Sequence, residues 1–146
     1  MDMSAQHLAR IRESLRRLQA EKRYFSMAVY AIDGDHAVRV AEAGALCGQC
    51  NRVDLSSGNI GLVARTGTVH STRDVSSDPS YKGCFAEVRS EITAPIIDSG
   101  KILGVVDVEM DASYPLTERD ELDVGAVAQQ LAPLLRLVRP PPGTGA

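Results

Sequence analysis

Between Val88 and Glu109 the chain alternates so regularly that few folds can accommodate it. Two arms rich in β-branched residues flank Asp98-Ser99-Gly100, which is the pattern of a β-hairpin. A three-residue loop with Gly100 in the left-handed conformation predicts Ile97 opposite Lys101. That register gathers Ile92, Ala94, Ile96, Val106 and Val108 on one face. Arg89, Glu91, Thr93, Asp107 and Glu109 fall on the other, with Glu91 opposite Asp107 and Arg89 opposite Glu109. A two-residue Ser-Gly loop would set Glu91 opposite Val108 and mix the faces. Because a one-residue slip exchanges faces, the segregated register is the expectation. It describes a sheet with one greasy face and one polar face, with acids at its centre and Cys84 on a loop just before it.

The rest of the chain supplies elements to cover that sheet. Leu8, Ile11, Leu15 and Leu18 recur at helical spacing, predicting an amphipathic helix over 4–23 with Ser4 as N-cap. Its narrow apolar seam suits a helix of its own domain or of a second subunit, so a homodimer through the terminal helices is expected. Strands are predicted over 24–32 and 36–43 around Asp33-Gly34-Asp35, and again over 68–71. Between them Ser57 or Asn59 caps a short helix reaching Arg65, and Gly67 ends it. Residues 73–83 read as a long surface loop, a common place for function. Thr117 and Asp120 form a capping box for a last helix over 117–138, which Pro133 should kink or stop. One domain over 1–139 and a disordered tail over 140–146 are expected. Hairpin-joined strands between terminal helices make the fold class α+β, an antiparallel sheet with the helices on one face.

Composition narrows the function classes. With 146 residues, 44% of them hydrophobic, the chain is the size of one domain with a sizeable core. A net charge of −3 and a pI near 5.6 argue against nucleic acid as partner. No apolar run reaches the ~20 residues of a membrane span, and the N-terminus lacks a signal peptide's apolar core. No membrane partner and a cytoplasmic location are therefore expected. The three cysteines fit that compartment as reduced thiols.

Three stretches carry a resemblance: Asp74-Val-Ser-Ser-Asp-Pro-Ser-Tyr81, Val88-Arg-Ser-Glu-Ile-Thr-Ala-Pro95 and Gly104-Val-Val-Asp-Val-Glu109. Together with the terminal helices they resemble GAF domains over about residues 8–138, which implies a small-molecule pocket on the sheet face away from the helices. Stand-alone GAF proteins of this length include the free methionine-(R)-sulfoxide reductases, and the narrower likeness is to these. Cys84 lies seven residues before Glu91, and Glu91 sixteen before Asp107, as in that group's pattern. Cys50, thirty-four residues before Cys84, falls where the group keeps a partner cysteine. Ile60 stands where it has a further cysteine, and Glu109 where it has an aspartate.

The resemblance implies roles. Cys84 would attack the sulfoxide sulfur, Glu91 would protonate the departing oxygen, and Cys50 would resolve the sulfenic acid, giving three catalytic residues. Cys47 would relay that disulfide outward or replace it, and a thioredoxin-like dithiol would reset the enzyme. Asp107 and Glu109 would hold the ammonium of a free amino acid, with Tyr81 and Phe85 lining an apolar slot. No cofactor and no metal are expected.

The residues themselves leave alternatives open. Cys84 read alone suits a buried small hydrophobe, and Glu109 suits a cross-strand pair with Arg89. Glu91 and Asp107 suit a non-catalytic sensor that binds a small ligand. Cys47-Gly-Gln-Cys50 reads as a redox dithiol or half a zinc site. The first lacks a following helix, and the second needs ligands such as His70 and Cys84.

Overall fold

The computed structural model describes residues 3–83 and 85–138. Cys84 and the tail expected over 140–146 lie outside the described residues.

Among those residues six strands form one antiparallel sheet: β1 (Ser26–Asp33), β2 (His36–Gly44), β3 (Arg52–Asp54), β4 (His70–Thr72), β5 (Ser90–Asp98) and β6 (Lys101–Met110). Their spatial order is β3-β2-β1-β6-β5-β4, so β1 and β6 are central. Three helices complete the fold: α1 (Met3–Lys22), α2 (Gly58–Thr66) and α3 (Glu118–Leu135).

Alternation along the central strands sorts side chains into two cores. Val29, Ile92, Ala94, Ile96, Val106 and Val108 meet Ile11 and Leu15 of α1 and Val124, Ala128 and Leu131 of α3. Each large aliphatic side chain buried this way contributes about 1.5–3 kcal/mol. A smaller cluster on the opposite face joins Ala28, Tyr30, Ala37 and Val105 to Val63 of α2. Polar bonds tie the terminal helices to each other. The Tyr24 hydroxyl donates to Asp120 Oδ1 at 2.7 Å, and Lys22 pairs with Asp123 at 2.7 Å. The expected capping box at Thr117 and Asp120 is present.

The hairpin differs from the expected register in an informative way. Asp98 pairs directly with Lys101, leaving Ser99 (φ 53°) and Gly100 (φ 80°) as a two-residue turn. Positive φ at both positions matches the right-handed twist of the flanking strands. The parity this turn upsets is restored by a β-bulge: Ile97 pairs with Ile102 but Ile96 with Gly104, which leaves Leu103 as the extra residue. Up to the bulge, the faces therefore segregate as expected while the partners shift by two. Glu91 lies opposite Glu109 and Thr93 opposite Asp107, not Glu91 opposite Asp107.

Other expectations shift less. The strand expected over 68–71 is His70–Thr72, and α2 ends at Gly67, whose φ of 69° is left-handed. Ser57 occupies the N-cap of α2 but makes no side-chain cap bond. α3 neither stops nor breaks at Pro133; it runs on to Leu135. The ring removes only one N–H, and with the end so near few further bonds are at stake.

Candidate functional site

On the sheet face away from α1 and α3, three carboxylates converge. Glu91 comes from β5, and Asp107 and Glu109 come from β6; each offers an oxygen within 4.8 Å of the others. All three are buried, with relative exposures of 4%, 8% and 9%. Like charges this close in a dry environment hold protons far above the ordinary carboxylate range. Burial, reinforced by the charge on Asp107, pushes Glu109 up to about 8. Burial is also the main cause for Glu91, raised to about 7 against the opposing pull of hydrogen bonds from Asp107 and Asn59. Asp107 is raised well above its ordinary value by burial and then by the charge of Glu91. The direction assigns the most firmly held proton to Asp107, whose hydroxyl donates to the Glu91 carboxylate.

Loops and α2 bring a second ring of polar groups. Asn59 Nδ2 donates to Glu91 Oε1 at 2.7 Å and to Asp78 Oδ2 at 3.1 Å. Asn59 is thus a buried strut rather than a helix cap. Asp78 is held in turn by His70 Nε2 at 2.9 Å and by the Ser80 hydroxyl at 2.8 Å. Its carboxyl sits at about 2: burial pushes it up, but the bonds from His70, Asn59 and Ser80 together outweigh burial. The Thr93 hydroxyl donates to Asp107 Oδ1 at 3.1 Å. The loop over 73–83 is accordingly part of the site.

Tyr81, expected to line an apolar slot, instead donates its hydroxyl to Glu109 Oε2 at 2.8 Å. Arg89 does not pair with Glu109; its guanidinium reaches the carbonyls of Ala86 and Val88. Gly83 leaves room for the tyrosine: a Cβ there would lie 1.8 Å from the Tyr81 hydroxyl.

The acids open onto a cavity with two lobes. A lobe of about 50 Å³ is lined by Asp107, Glu109, Tyr30, Arg39, Cys47 and Phe85. One of about 300 Å³ is lined by Glu91, Asn59, Asp54, Ser57 and Gln49. Cys50, Val53, Ile60, Lys82 and Gly83 line both. Phe85, which lines the smaller lobe, packs edge-on against Phe25 with ring centroids 5.1 Å apart. Gly83 and Phe85, the sequence neighbours of Cys84, thus border the cavity, while Cys84 itself is outside the described residues. A larger groove of about 890 Å³ lies by α3, between Val69, Ile97 and Leu122. It has no buried acids, so the chemistry belongs to the smaller cavity.

Cys47 and Cys50 bracket a single 3₁₀ turn (Gly48–Cys50), and their sulfurs lie 3.2 Å apart. The turn is clamped from the sheet. Arg39 Nη1 donates to the Cys47 carbonyl at 2.6 Å, and the Tyr30 hydroxyl donates to the Cys50 carbonyl at 3.0 Å.

The arrangement can bind a small cation such as an ammonium and can deliver or take up protons near neutral pH. Three clustered carboxylates also suit a divalent cation in ligand type, although Glu109 and Glu91 already accept bonds from Tyr81 and Asn59. Asp78 belongs to the 73–83 loop that was expected to help build the pocket, whereas Asn59, Arg39 and Tyr30 were not expected at the site.

A model of the GAF domain family matches residues 8–135. Protein YtsP of Bacillus subtilis (strain 168) is 33% identical over 82 residues, 56% of this chain and 50% of that protein. The chain therefore spans about half the length of that curated relative. The type II free methionine-R-sulfoxide reductase from Thermoplasma acidophilum superposes with a TM-score of 0.87 at 22% identity, over 92% of this chain and 96% of that one. Free methionine-R-sulfoxide reductase from Neisseria meningitidis, in complex with its substrate, gives 0.79 at 25% identity, over 90% and 78%. With the family match running from α1 to the last residue of α3, the chain belongs to the GAF domain family.

Proposed function

We propose that the chain reduces free methionine-R-sulfoxide. The observation that carries this reading is the buried acid trio facing a cavity whose wall also holds Cys50. The likeness to two free methionine-R-sulfoxide reductases supports it.

Each part of such a substrate has a counterpart. The ammonium takes the place of protons shared among Glu91, Asp107 and Glu109, so two or more carboxylates ionise around it. Lys82 is the cation on the cavity wall that faces the substrate carboxylate in this reading, while Arg39 is engaged by the Cys47 carbonyl and the Asn51 side chain. The Phe85 ring offers an apolar surface to the methyl and methylene groups. The Cys84 thiolate attacks the sulfoxide sulfur, and Glu91, raised to about 7, supplies the proton that the oxygen needs. Methionine leaves two electrons richer, and Cys84 is left as a sulfenic acid. The Cys50 thiol displaces water from it to form a disulfide, which an external thioredoxin-like dithiol reduces.

The test is consumption of each methionine sulfoxide epimer, free and in a peptide, with dithiothreitol as reductant. Turnover confined to the free R epimer and lost in Cys84→Ser is the expected result. No turnover under reducing conditions would reject the reaction. In that case the second reading applies, a sensor whose cup binds a cationic metabolite. The observation favouring it is that Tyr81 and Asn59 already hold Glu109 and Glu91 in fixed poses, as a receptor requires.

A further inference from the structure

We propose that Asn59 is a positioning residue that selects Glu91, among the three carboxyls of the cup, as the one that exchanges a proton. As a device for catalysis this deepens the sulfoxide reading and rests on it; the ordering of the carboxyls does not. Glu91 accepts from two donors, Asn59 Nδ2 at 2.7 Å and the Asp107 hydroxyl. Among the described residues Glu109 accepts from Tyr81 alone. The amide of Asn59 has one workable orientation. Its N–H groups face two carboxylates, Glu91 and, at 3.1 Å, Asp78. Its Oδ1 lies 2.5 Å from the Ser80 hydroxyl, which shares its proton between Asn59 and Asp78. Turned over, the amide would set its oxygen against both carboxylates and its N–H groups against the serine.

The backbone under Asn59 is pinned as well. It sits in the first turn of α2, which Val63 anchors in the smaller core. A Cβ at Gly61 would lie 2.4 Å from the Leu55 carbonyl oxygen, so the helix rests directly on that carbonyl. Asn59 itself is only 3% exposed and lines the larger lobe beside Glu91.

Burial raises all three acids, so the donors decide their order, because a bond to the charged form favours ionisation. The charged and titratable groups facing Glu91 are Asp107 and Glu109 from β6 and Asp78 and Tyr81 from the loop over 73–83, with Lys82 on the same lobe. Asp78 acts in two opposite ways. Its charge holds the Glu91 proton on, yet it also fixes the amide that eases that proton off. It stays ionised, at about 2, since burial is outweighed by bonds from His70, Asn59 and Ser80. Glu91 consequently sits at about 7, below Glu109 at about 8. When Glu91 passes its proton to the oxygen leaving sulfur, the carboxylate left behind keeps both donors. Water returns the proton after product departs.

The test is a carboxyl ¹³C NMR titration of the full chain labelled at glutamate Cδ. The two signals are assigned by their loss in Glu91→Gln and Glu109→Gln. In wild type Glu91 should titrate below Glu109. In Asn59→Leu its midpoint should rise by about one to two pH units. Ser80→Ala, which only frees the amide, should raise it by less. The alkaline limb of sulfoxide turnover, where Glu91 loses its proton, should move up with the midpoint in Asn59→Leu. A merely structural strut predicts the opposite sign, because water admitted by its loss would drop Glu91 toward the ordinary carboxylate range. Such a drop, an unmoved midpoint, or Glu109 titrating first in wild type would each overturn the proposal. Should Asn59→Leu not fold, an unmoved or lowered midpoint in Ser80→Ala overturns it equally. Absence of turnover at every pH would reject the reductase reading alone, since the NMR midpoints report on Asn59 without substrate.

Discussion

Replacing Glu109 by glutamine should make the protein more stable at alkaline pH while damaging its ligand site. The folded protein holds the Glu109 proton up to about pH 8, whereas an unfolded glutamate releases it near 4.5. A carboxyl raised in this way binds a proton in the folded state that the unfolded state has lost. Stability is therefore full below about pH 4.5 and falls as pH climbs through the folded value. At about 1.4 kcal/mol per pH unit, the loss reaches roughly 3–5 kcal/mol by about pH 8.5, part of it shared with Glu91 and Asp107. Glutamine carries no titrating proton and keeps an amide oxygen to accept from Tyr81. Wild type and Glu109→Gln should thus have similar urea midpoints near pH 5 and diverge by several kcal/mol near pH 8.5, with the variant more stable. Ligand affinity or turnover should drop on the order of 100-fold, because one anionic partner of the ammonium is gone. Parallel stability curves for the two proteins would show that Glu109 is not protonated in the fold, and the electrostatic account of the cup would fail.

Other perturbations follow from the same geometry. Gly83→Ala should eject the Tyr81 hydroxyl from Glu109 and impair ligand binding, with a thermal midpoint within a few degrees of wild type. A loss of folding instead would place Gly83 in the scaffold rather than the site. Asn59→Leu strands Glu91 and Asp78 without their shared donor and should cost about 1–3 kcal/mol in denaturant unfolding, whereas a neutral result would contradict a buried strut. His70→Ala removes a bond that holds Asp78 at about 2. Because a depressed carboxyl stabilises above its unfolded value and loses that effect as pH falls, the variant should unfold at higher pH in an acid titration. Thr117→Ala breaks the capping box of α3 and should cost about 1 kcal/mol by the same unfolding assay, leaving the ligand site unchanged.

Much of this protein is legible from local pattern. The two faces of the β5–β6 hairpin follow from alternation, because every second side chain must leave the same side of a strand. α1 and α3 follow from apolar spacing and from the Thr117–Asp120 box, and the end of α2 follows from Gly67. Glu91, Asp107 and Glu109 stand out as a cluster of acids on the polar face of that hairpin. The partners of those acids do not follow. A two-residue turn and a bulge at Leu103 give the same facing as a three-residue turn, so sequence parity alone cannot distinguish pairings that differ by two. Asn59 reads as a cap and Tyr81 as an apolar wall because nothing local says that α2 and the loop over 73–83 fold back onto β5 and β6. What the sequence by itself determined is the set of elements and which side chains share a face, since those depend on neighbours a few bonds away. Only the tertiary structure decided that three carboxylates meet within 4.8 Å, braced by Asn59 and Tyr81, because burial and charge proximity arise when distant segments pack and expel water.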